Sequence, residues 1–361
     1  MKSGTRIRDA VLDLRGGARG RVEDAWRRWE TGLPRLAAWI EPWSDACGDA
    51  ELRRRLSSRG VPEARPFLVS VGNLVAGGTG KTPVVMDLAR RLSAAGLRTA
   101  VLTRGHGGRA AGPLRVRPDD RDCGDEARLM AAALPAVPVV QARRRRGGLA
   151  FLLREAPGCD LVLLEDAHQT AGVPRHLDVL ILDRWERRAG VVVPTAVRRL
   201  PWGPGREDVA GAARARLWLV EAGAGPDGTL RGPAGVVVLG FARREVWADG
   251  ASPAPGAPCA VVSGIARPER FEAACARLCG APPVLAVRCA DHARYDRRVV
   301  ARLLAEGSRR GAACWLTTAK DRVKLSGVWP PDAPPLFTVG LELDWLGPDP
   351  VERIVLQLLE A

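Results

Sequence analysis

The chain has 361 residues, 46% hydrophobic and 27% charged, a composition that suits two or three folding units and excludes a disordered, collagen-like or coiled-coil protein. Its formal net charge is +14, and the basic excess is almost entirely arginine, the lysines being Lys2, Lys81, Lys320 and Lys324. The charged stretch 1–14 does not read as a signal peptide, and the longest apolar run, 234–242, is far too short to span a bilayer.

Residues 1–60 predict a basic amphipathic helical region. Val22, Trp26, Trp29, Leu33, Leu36 and Ile40 recur at helical spacing among Arg21, Arg27, Arg28 and Arg35, and Pro34 should kink the helix. Tryptophan beside arginine suits a helix lying on an anionic membrane surface, and equally a helix packed on the next domain. From Pro66 short apolar runs at 67–71, 99–103, 137–140, 161–164, 179–182 and 217–220 alternate with helical or loop stretches, the first helix covering about 81–92. That alternation predicts right-handed βαβ units and a parallel sheet covered on both faces, here over 61–220. A Gly/Pro/Ala-rich stretch, 221–258, reads as a linker with one strand or hairpin near 236–239. A second α/β domain is expected over 259–361, with strands at 260–263, 284–287, 314–317 and 336–339 and helices near 269–278, 297–309 and from about 350. The fold class expected is α/β, two α/β/α domains with largely parallel sheets joined by a small β linker.

The strongest chemical signal is Gly77-Gly78-Thr79-Gly80-Lys81-Thr82, directly after a strand and opening a helix. Glycines let successive backbone N–H groups face a phosphate, and the helix N-terminus adds its positive dipole end. Lys81 would reach the β/γ-phosphates and Thr82 would ligate Mg²⁺. The first glycine of the usual pattern is replaced by Val75, so the loop is an atypical P-loop. Glu165 and Asp166 follow the run 161–164, where a P-loop protein needs metal-orienting acids. Gly124-Asp125-Glu126 puts two carboxylates at a helix start, and Asp291-His292 follows a strand of the second domain. A carboxylate paired with an imidazole can accept an alcohol's proton. Arginines 143–146 lack the aromatic interleaving of a nucleic-acid surface, so phosphate-bearing ligands and acidic lipid are expected and nucleic acid is not. The eight cysteines form no C-x-x-C pair; Cys275 and Cys279 share a helical face without making a zinc site, and all read as reduced core thiols.

These motifs, in this order, resemble the tetraacyldisaccharide 4'-kinase family of Gram-negative bacteria. The resemblance runs through 66–73, 77–83, 103–107, Gly124-Asp-Glu126, 137–140 with the arginines after it, and Glu165-Asp-Ala-His-Gln169. It resumes at Ser263-Gly-Ile-Ala-Arg-Pro268, Asp291-His292 and Thr318-Ala-Lys-Asp321 with Lys324. It implies transfer of the γ-phosphate of ATP to the 4'-hydroxyl of a lipid A disaccharide 1-phosphate precursor, at the cytoplasmic face of the inner membrane. It also implies Asp125 and His292 as the pair activating the sugar hydroxyl, between two α/β domains. Lys81 and Thr82 would hold phosphate and Mg²⁺, with Glu165 and Asp166 at the metal. Glu126 and Gln169 match further site positions, and Arg145 and Arg199 match phosphate-contacting arginines. The chain departs from the family's Asp-Asp-Gly-Phe-Gln-His at 165–170, has His106 for a tyrosine, and reads Pro194-Thr-Ala-Val-Arg-Arg-Leu200 against the usual Pro-Ala-Gly-Pro-Leu-Arg-Glu. A diverged paralogue with another glycolipid acceptor, or one binding nucleotide without transfer, is the alternative, and a P-loop ATPase switch protein the second.

Overall fold

A computed structural model describes residues 11–13, 66–200, 202–222, 230–248, 250–291 and 293–360; the amphipathic helix expected over 1–60 lies outside them, apart from one short strand. In chain order the elements are β1 (Val11–Asp13), β2 (Phe67–Asn73), α1 (Lys81–Ala94), β3 (Thr99–Thr103), β4 (Leu114–Arg115) and α2 (Asp125–Ala133). Then follow β5 (Val139–Gln141), α3 (Arg145–Glu155), β6 (Leu161–Glu165), β7 (Leu177–Leu182), a hairpin of β8 (Trp185–Arg188) and β9 (Val191–Pro194), and β10 (Leu217–Glu221). The remainder comprises β11 (Val237–Trp247), β12 (Cys259–Ser263), α4 (Pro268–Cys279), β13 (Leu285–Arg288), α5 (Arg297–Arg309), β14 (Cys314–Thr318), α6 (Ala319–Leu325), β15 (Leu336–Leu346) and α7 (Val351–Glu360). The described chain forms two compact units, one of 66–244 with 343–360 and one of 245–342 with 11–13.

In the larger unit the sheet order is β11-β10-β7-β2-β6-β3-β5-β4. Pairing is parallel from β11 to β5, and only the short edge strand β4 runs antiparallel. The central strands are apolar at nearly every position because both faces are covered. On β6, Leu161 and Leu163 face a cluster with Val84, Leu88 and Leu92 of α1, while Val162 and Leu164 face Leu152 of α3. The smaller unit repeats this layering with an all-parallel sheet, β1-β13-β12-β14-β15. Its Ala260 and Val262 pack toward Val300 and Leu303 of α5, and Cys259 and Val261 toward Phe271 and Cys275 of α4.

Two local expectations change. The segment 221–258 contributes an 11-residue strand, β11, hydrogen-bonded in parallel beside β10, so the sheet continues where a separate linker was expected. The helix from about 350, expected with 259–361, packs with α1: Val351 and Val355 enter the α1 core cluster, and Glu352 pairs with Arg91 at 3.7 Å. The cause lies in β15, which starts in the smaller unit and ends in the larger one, delivering α7 there.

Candidate functional site

Strand β2 ends at Asn73, fully buried, and this one amide braces the glycine-rich loop. Its Nδ2 donates to the Val75 carbonyl at 2.7 Å and to Thr79 Oγ1 at 2.8 Å, and its Oδ1 receives Lys81 Nζ at 3.4 Å. Gly77 and Gly80 take positive φ, 110° and 87°, a conformation strained for any residue with a Cβ. Gly80 is the residue from which α1 starts, and Pro83 is tolerated in its first turn, where no helical N–H is lost. Gln169 ties the loop's other side, donating to the Asn73 carbonyl at 2.7 Å and to Glu207 Oε1 at 2.6 Å. Arg214 in turn holds both Glu207 oxygens.

The two acids at the end of β6 face this loop. Asp166 Oδ1 lies 3.6 Å from Lys81 Nζ and accepts from Arg206 Nη1 at 2.6 Å. Glu165 is buried; its Oε2 accepts from Thr103 at 2.8 Å, while its Oε1 has no hydrogen-bond partner. Burial, then the charges of Glu126 and Asp166, pushes the Glu165 carboxyl up to about 7. Burial also opposes ionisation of Asp166, but Lys81 and Arg206 outweigh it and hold that carboxyl below its ordinary value. Adjacent carboxyls thus divide, one ionised and one near its titration point. Arg145, first residue of α3, is buried behind them, donating to the Leu102 carbonyl at 3.2 Å and the Asp166 carbonyl at 2.8 Å, and also to the Glu165 carbonyl. Burial pulls its guanidinium down to about 10, against Glu165 and Asp166, so it stays charged at neutral pH. Its guanidinium therefore fixes the backbone of the acids.

Asp125 and Glu126 are the first two residues of α2, half-buried. Gln141 at the end of β5 sets that helix start, accepting from Gly124 N at 2.9 Å and donating to the Ala110 carbonyl at 2.7 Å. A Cβ at Gly124 would meet the His106 carbonyl at 2.6 Å, so the loop after β3 is seated directly on the helix start. The charge of Glu126 acts on Glu165, raising its carboxyl together with burial.

Arg199 pairs with Asp208 at 3.5 Å, whereas another arginine reaches Asp166 beside the loop. The arginine there is Arg206, because 204–206 runs alongside 74–76, with Ala76 N on the Pro204 carbonyl at 2.6 Å and Arg206 N on the Leu74 carbonyl at 2.8 Å. The sequence did carry the signal: Pro201-Trp-Gly-Pro-Gly-Arg-Glu207 shares five of seven residues with Pro-Ala-Gly-Pro-Leu-Arg-Glu, seven positions beyond where that motif was expected. Arg243 of β11 is a second residue that sequence reasoning missed. It donates to the Thr79 carbonyl at 3.0 Å, and a Cβ on Gly80 would lie 2.7 Å from its Nη2. No local motif marks it.

In the smaller unit, the expected His292 lies outside the described residues, but both flanks are held. Asp291 accepts from Lys320 at 2.9 Å, and the Ala293 carbonyl from Lys324 at 3.1 Å. Behind them Asp321, fully buried, pairs with Lys324 at 2.8 Å and accepts from Gly264 N, Thr318 Oγ1 and the Tyr295 hydroxyl. Thr318 also caps α6 by accepting from Asp321 N at 3.0 Å. The motif 318–321 with Lys324 is thus a helix cap and a buried ion pair, with Lys320 and Lys324 reaching Asp291 and the Ala293 carbonyl.

A glycine-rich turn between a parallel strand and a helix, a lysine just inside it, and carboxylates ending the adjacent strand define a P-loop-type nucleotide site. The sequence pattern of the family described as tetraacyldisaccharide-1-P 4'-kinase matches residues 38–360. The tetraacyldisaccharide 4'-kinase of Maricaulis maris is 35% identical over 297 residues, 80% of each chain. That of Rhodospirillum centenum is 36% identical over 339 residues, 92% of this chain and 94% of the relative. The chain belongs to the tetraacyldisaccharide 4'-kinase family. Its mixed α/β fold with a large, mostly parallel sheet is that of the crystal structure of LpxK from Aquifex aeolicus, an "apo" form in complex with ATP. The TM-score is 0.64 at 22% identity, over 90% of this chain and 99% of that one. Among the described residues no helix is long and apolar enough to cross a membrane.

Proposed function

We propose that this chain transfers the γ-phosphate of ATP to the 4'-hydroxyl of a tetraacyl-disaccharide 1-phosphate, a precursor of lipid A. The observation that carries the reading is the convergence of Lys81, Arg206 and the Glu165–Asp166 pair on one glycine-rich loop, in a chain of this family. The loop from Gly77 to Thr82 presents backbone donors to the phosphates, and Lys81 supplies charge at their end. Phosphoryl transfer asks a protein chiefly for positioning and charge neutralisation, which these groups provide.

The residues fit a magnesium ion. The unpartnered Glu165 Oε1 in a buried site is an oxygen lacking a cation or donor, and Asp166 is ionised beside it. Mg²⁺ sites are commonly built from one or two carboxylates, a hydroxyl and substrate phosphate. Thr82, Glu165 and Asp166 are the proposed ligands. Bound there, Mg²⁺ would neutralise charge on the phosphate oxygens.

Asp125 is the proposed acceptor of the sugar hydroxyl's proton, with His292 as the second proposed catalytic group and Glu126 and Gln169 supporting the site. In domain terms, the larger unit, 66–244 with 343–360, is the proposed nucleotide-binding core, and the unit holding 245–342 is the proposed source of His292. The enzyme would work peripherally at the cytoplasmic face of the inner membrane, its net charge of +14 favouring an anionic surface.

Transfer of labelled γ-phosphate from ATP to a tetraacyl-disaccharide 1-phosphate in detergent micelles with Mg²⁺ tests the reading. Labelled lipid is expected, and its loss in Lys81→Ala and His292→Ala. Undiminished ATP binding with no labelled lipid would overturn the assigned acceptor.

A further inference from the structure

Four cysteines meet at one corner of the smaller unit, at the end of its sheet opposite Asp291 and Ala293. Cys259 opens β12 and Cys314 opens β14; these strands are parallel neighbours and the two residues are register partners. Their Sγ atoms lie 3.1 Å apart. Cys279 ends α4, with its Sγ 3.9 Å from that of Cys259, and Cys275 lies one turn earlier. Cys259, Cys275 and Cys314 are buried, whereas Cys279 is only half-buried. The sulfurs of Cys279, Cys259 and Cys314 therefore run in sequence from the accessible side inward.

The proposed kinase reaction makes no use of this cluster. A zinc ion does not suit it: two thiolates at about 2.3 Å from a tetrahedral metal sit roughly 3.8 Å apart, wider than the Cys259–Cys314 contact. No group of three or more such ligands is arranged for a metal among the described residues. Two sulfurs on register-paired residues need instead move only about 1 Å to reach disulfide length.

We propose that Cys279, Cys259 and Cys314 form a thiol–disulfide exchange relay that takes oxidising equivalents from a low-molecular-weight disulfide and stores them as a Cys259–Cys314 bond. The Cys279 thiolate attacks the small disulfide, forming a mixed disulfide and releasing one small thiolate. The Cys259 thiolate then attacks Cys279 Sγ, expelling the second small thiolate and forming Cys279–Cys259. Cys314 attacks Cys259 Sγ, which breaks that bond and returns Cys279 as a thiol. The sum is two protein thiols oxidised and one small disulfide reduced, the protons of Cys259 and Cys314 ending on the two small thiols. Excess small thiol reverses each step. The product joins the first residues of two neighbouring strands 55 positions apart in sequence, and so closes a long loop of the unfolded chain. Burial pushes the Cys279 thiol up to about 11, so the entry step should speed up almost tenfold per pH unit between pH 7 and 9.

The test uses the full chain incubated with oxidised glutathione, blocked with N-ethylmaleimide at timed intervals, and mapped by mass spectrometry of non-reduced peptides. A Cys259–Cys314 linked peptide is expected, together with a higher thermal midpoint that dithiothreitol reverses. Cys279→Ser should slow that link at least tenfold. Cys314→Ser should stop the relay at a Cys259–Cys279 link, which keeps the proposal testable if the Cys279 variant folds poorly. Glutathione retained on Cys279 with no internal link, or a Cys259–Cys314 link forming equally fast in Cys279→Ser, would overturn it.

Discussion

At the scale of single residues, Arg206 and Arg199 separate two readings of the same arginine-rich sequence. Arg206 bonds Asp166 within the loop's field, while Arg199 faces Asp208. Arg206→Ala should therefore lower kcat for phosphate transfer by about 10²-fold, in the range of one lost charge-stabilising contact, and Arg199→Ala should change it by no more than a few-fold; steady-state assays of both variants decide. Glu165 gives a prediction of opposite sign for stability and activity. Its folded carboxyl titrates near 7 and its unfolded one near 4.5, so folding takes up a proton between those values. Without metal, this group's cost to stability is fully present above pH 7 and is relieved as pH falls toward 4.5. Glu165→Gln removes a charge that burial disfavours. In metal-free buffer its thermal midpoint should exceed the wild type's at pH 8, with the gap closing near pH 5, while kinase activity falls by at least 10²-fold. A midpoint gap independent of pH would show that the Glu165 charge is not the cause.

At the scale of elements, strands buried on both faces announced themselves as apolar runs: β3 and β6 were legible almost to the residue. The two longest strands were not. The first half of β11 is continuously apolar and that of β15 is so apart from Thr338, whereas the second half of β15 alternates, Leu341-Glu-Leu-Asp-Trp345, a weaker period-2 signal. Missing that half misplaced α7, since the strand is what carries the chain back to the larger unit. The placement of Lys81, Glu165 and Asp125 was legible because a loop, a strand end and a helix start each leave a local pattern. Arg243 was not, because its contact with Thr79 joins positions 164 residues apart and no spacing rule reaches that far. The placement of α7 has a measurable consequence. Val355→Asp would put a charge into the core shared with α1, and hydrogen exchange should then accelerate in 84–92 while 297–309 stays protected. In the smaller unit, Lys324→Met leaves Asp321 charged and fully buried. The loss should be about 3 kcal/mol or more by denaturant titration, and Asp321→Asn combined with Lys324→Met should recover part of it.

At the scale of the whole molecule, the basic excess is spread along the chain. Residues 1–60 hold 13 basic and 9 acidic side chains, a net +4, which leaves +10 on 61–361. Among the described residues the large hydrophobic side chain strongly exposed is Leu200, at 45%. If the proposed membrane contact is made, the described surface would bring charge rather than apolar area, and the amphipathic stretch expected from the sequence at 22–40 would have to supply the apolar contribution. Electrostatic and apolar binding differ in salt response, since about 8 Å of screening length at physiological salt shrinks to about 3 Å at 1 M. Co-sedimentation with vesicles rich in anionic phospholipid should thus give strong binding of the full chain at low salt, partial binding at high salt, and little binding to neutral vesicles. The full chain carrying Trp26→Ala, Trp29→Ala and Leu33→Ala together should bind nearly as well at low salt, because its charge is intact, and be released completely at high salt. Equal retention of both proteins at high salt would remove that segment from the membrane contact. Release of both would leave attraction by the basic body as the sole anchor, so that the lipid substrate would have to be taken up from the bilayer by a protein held only by charge.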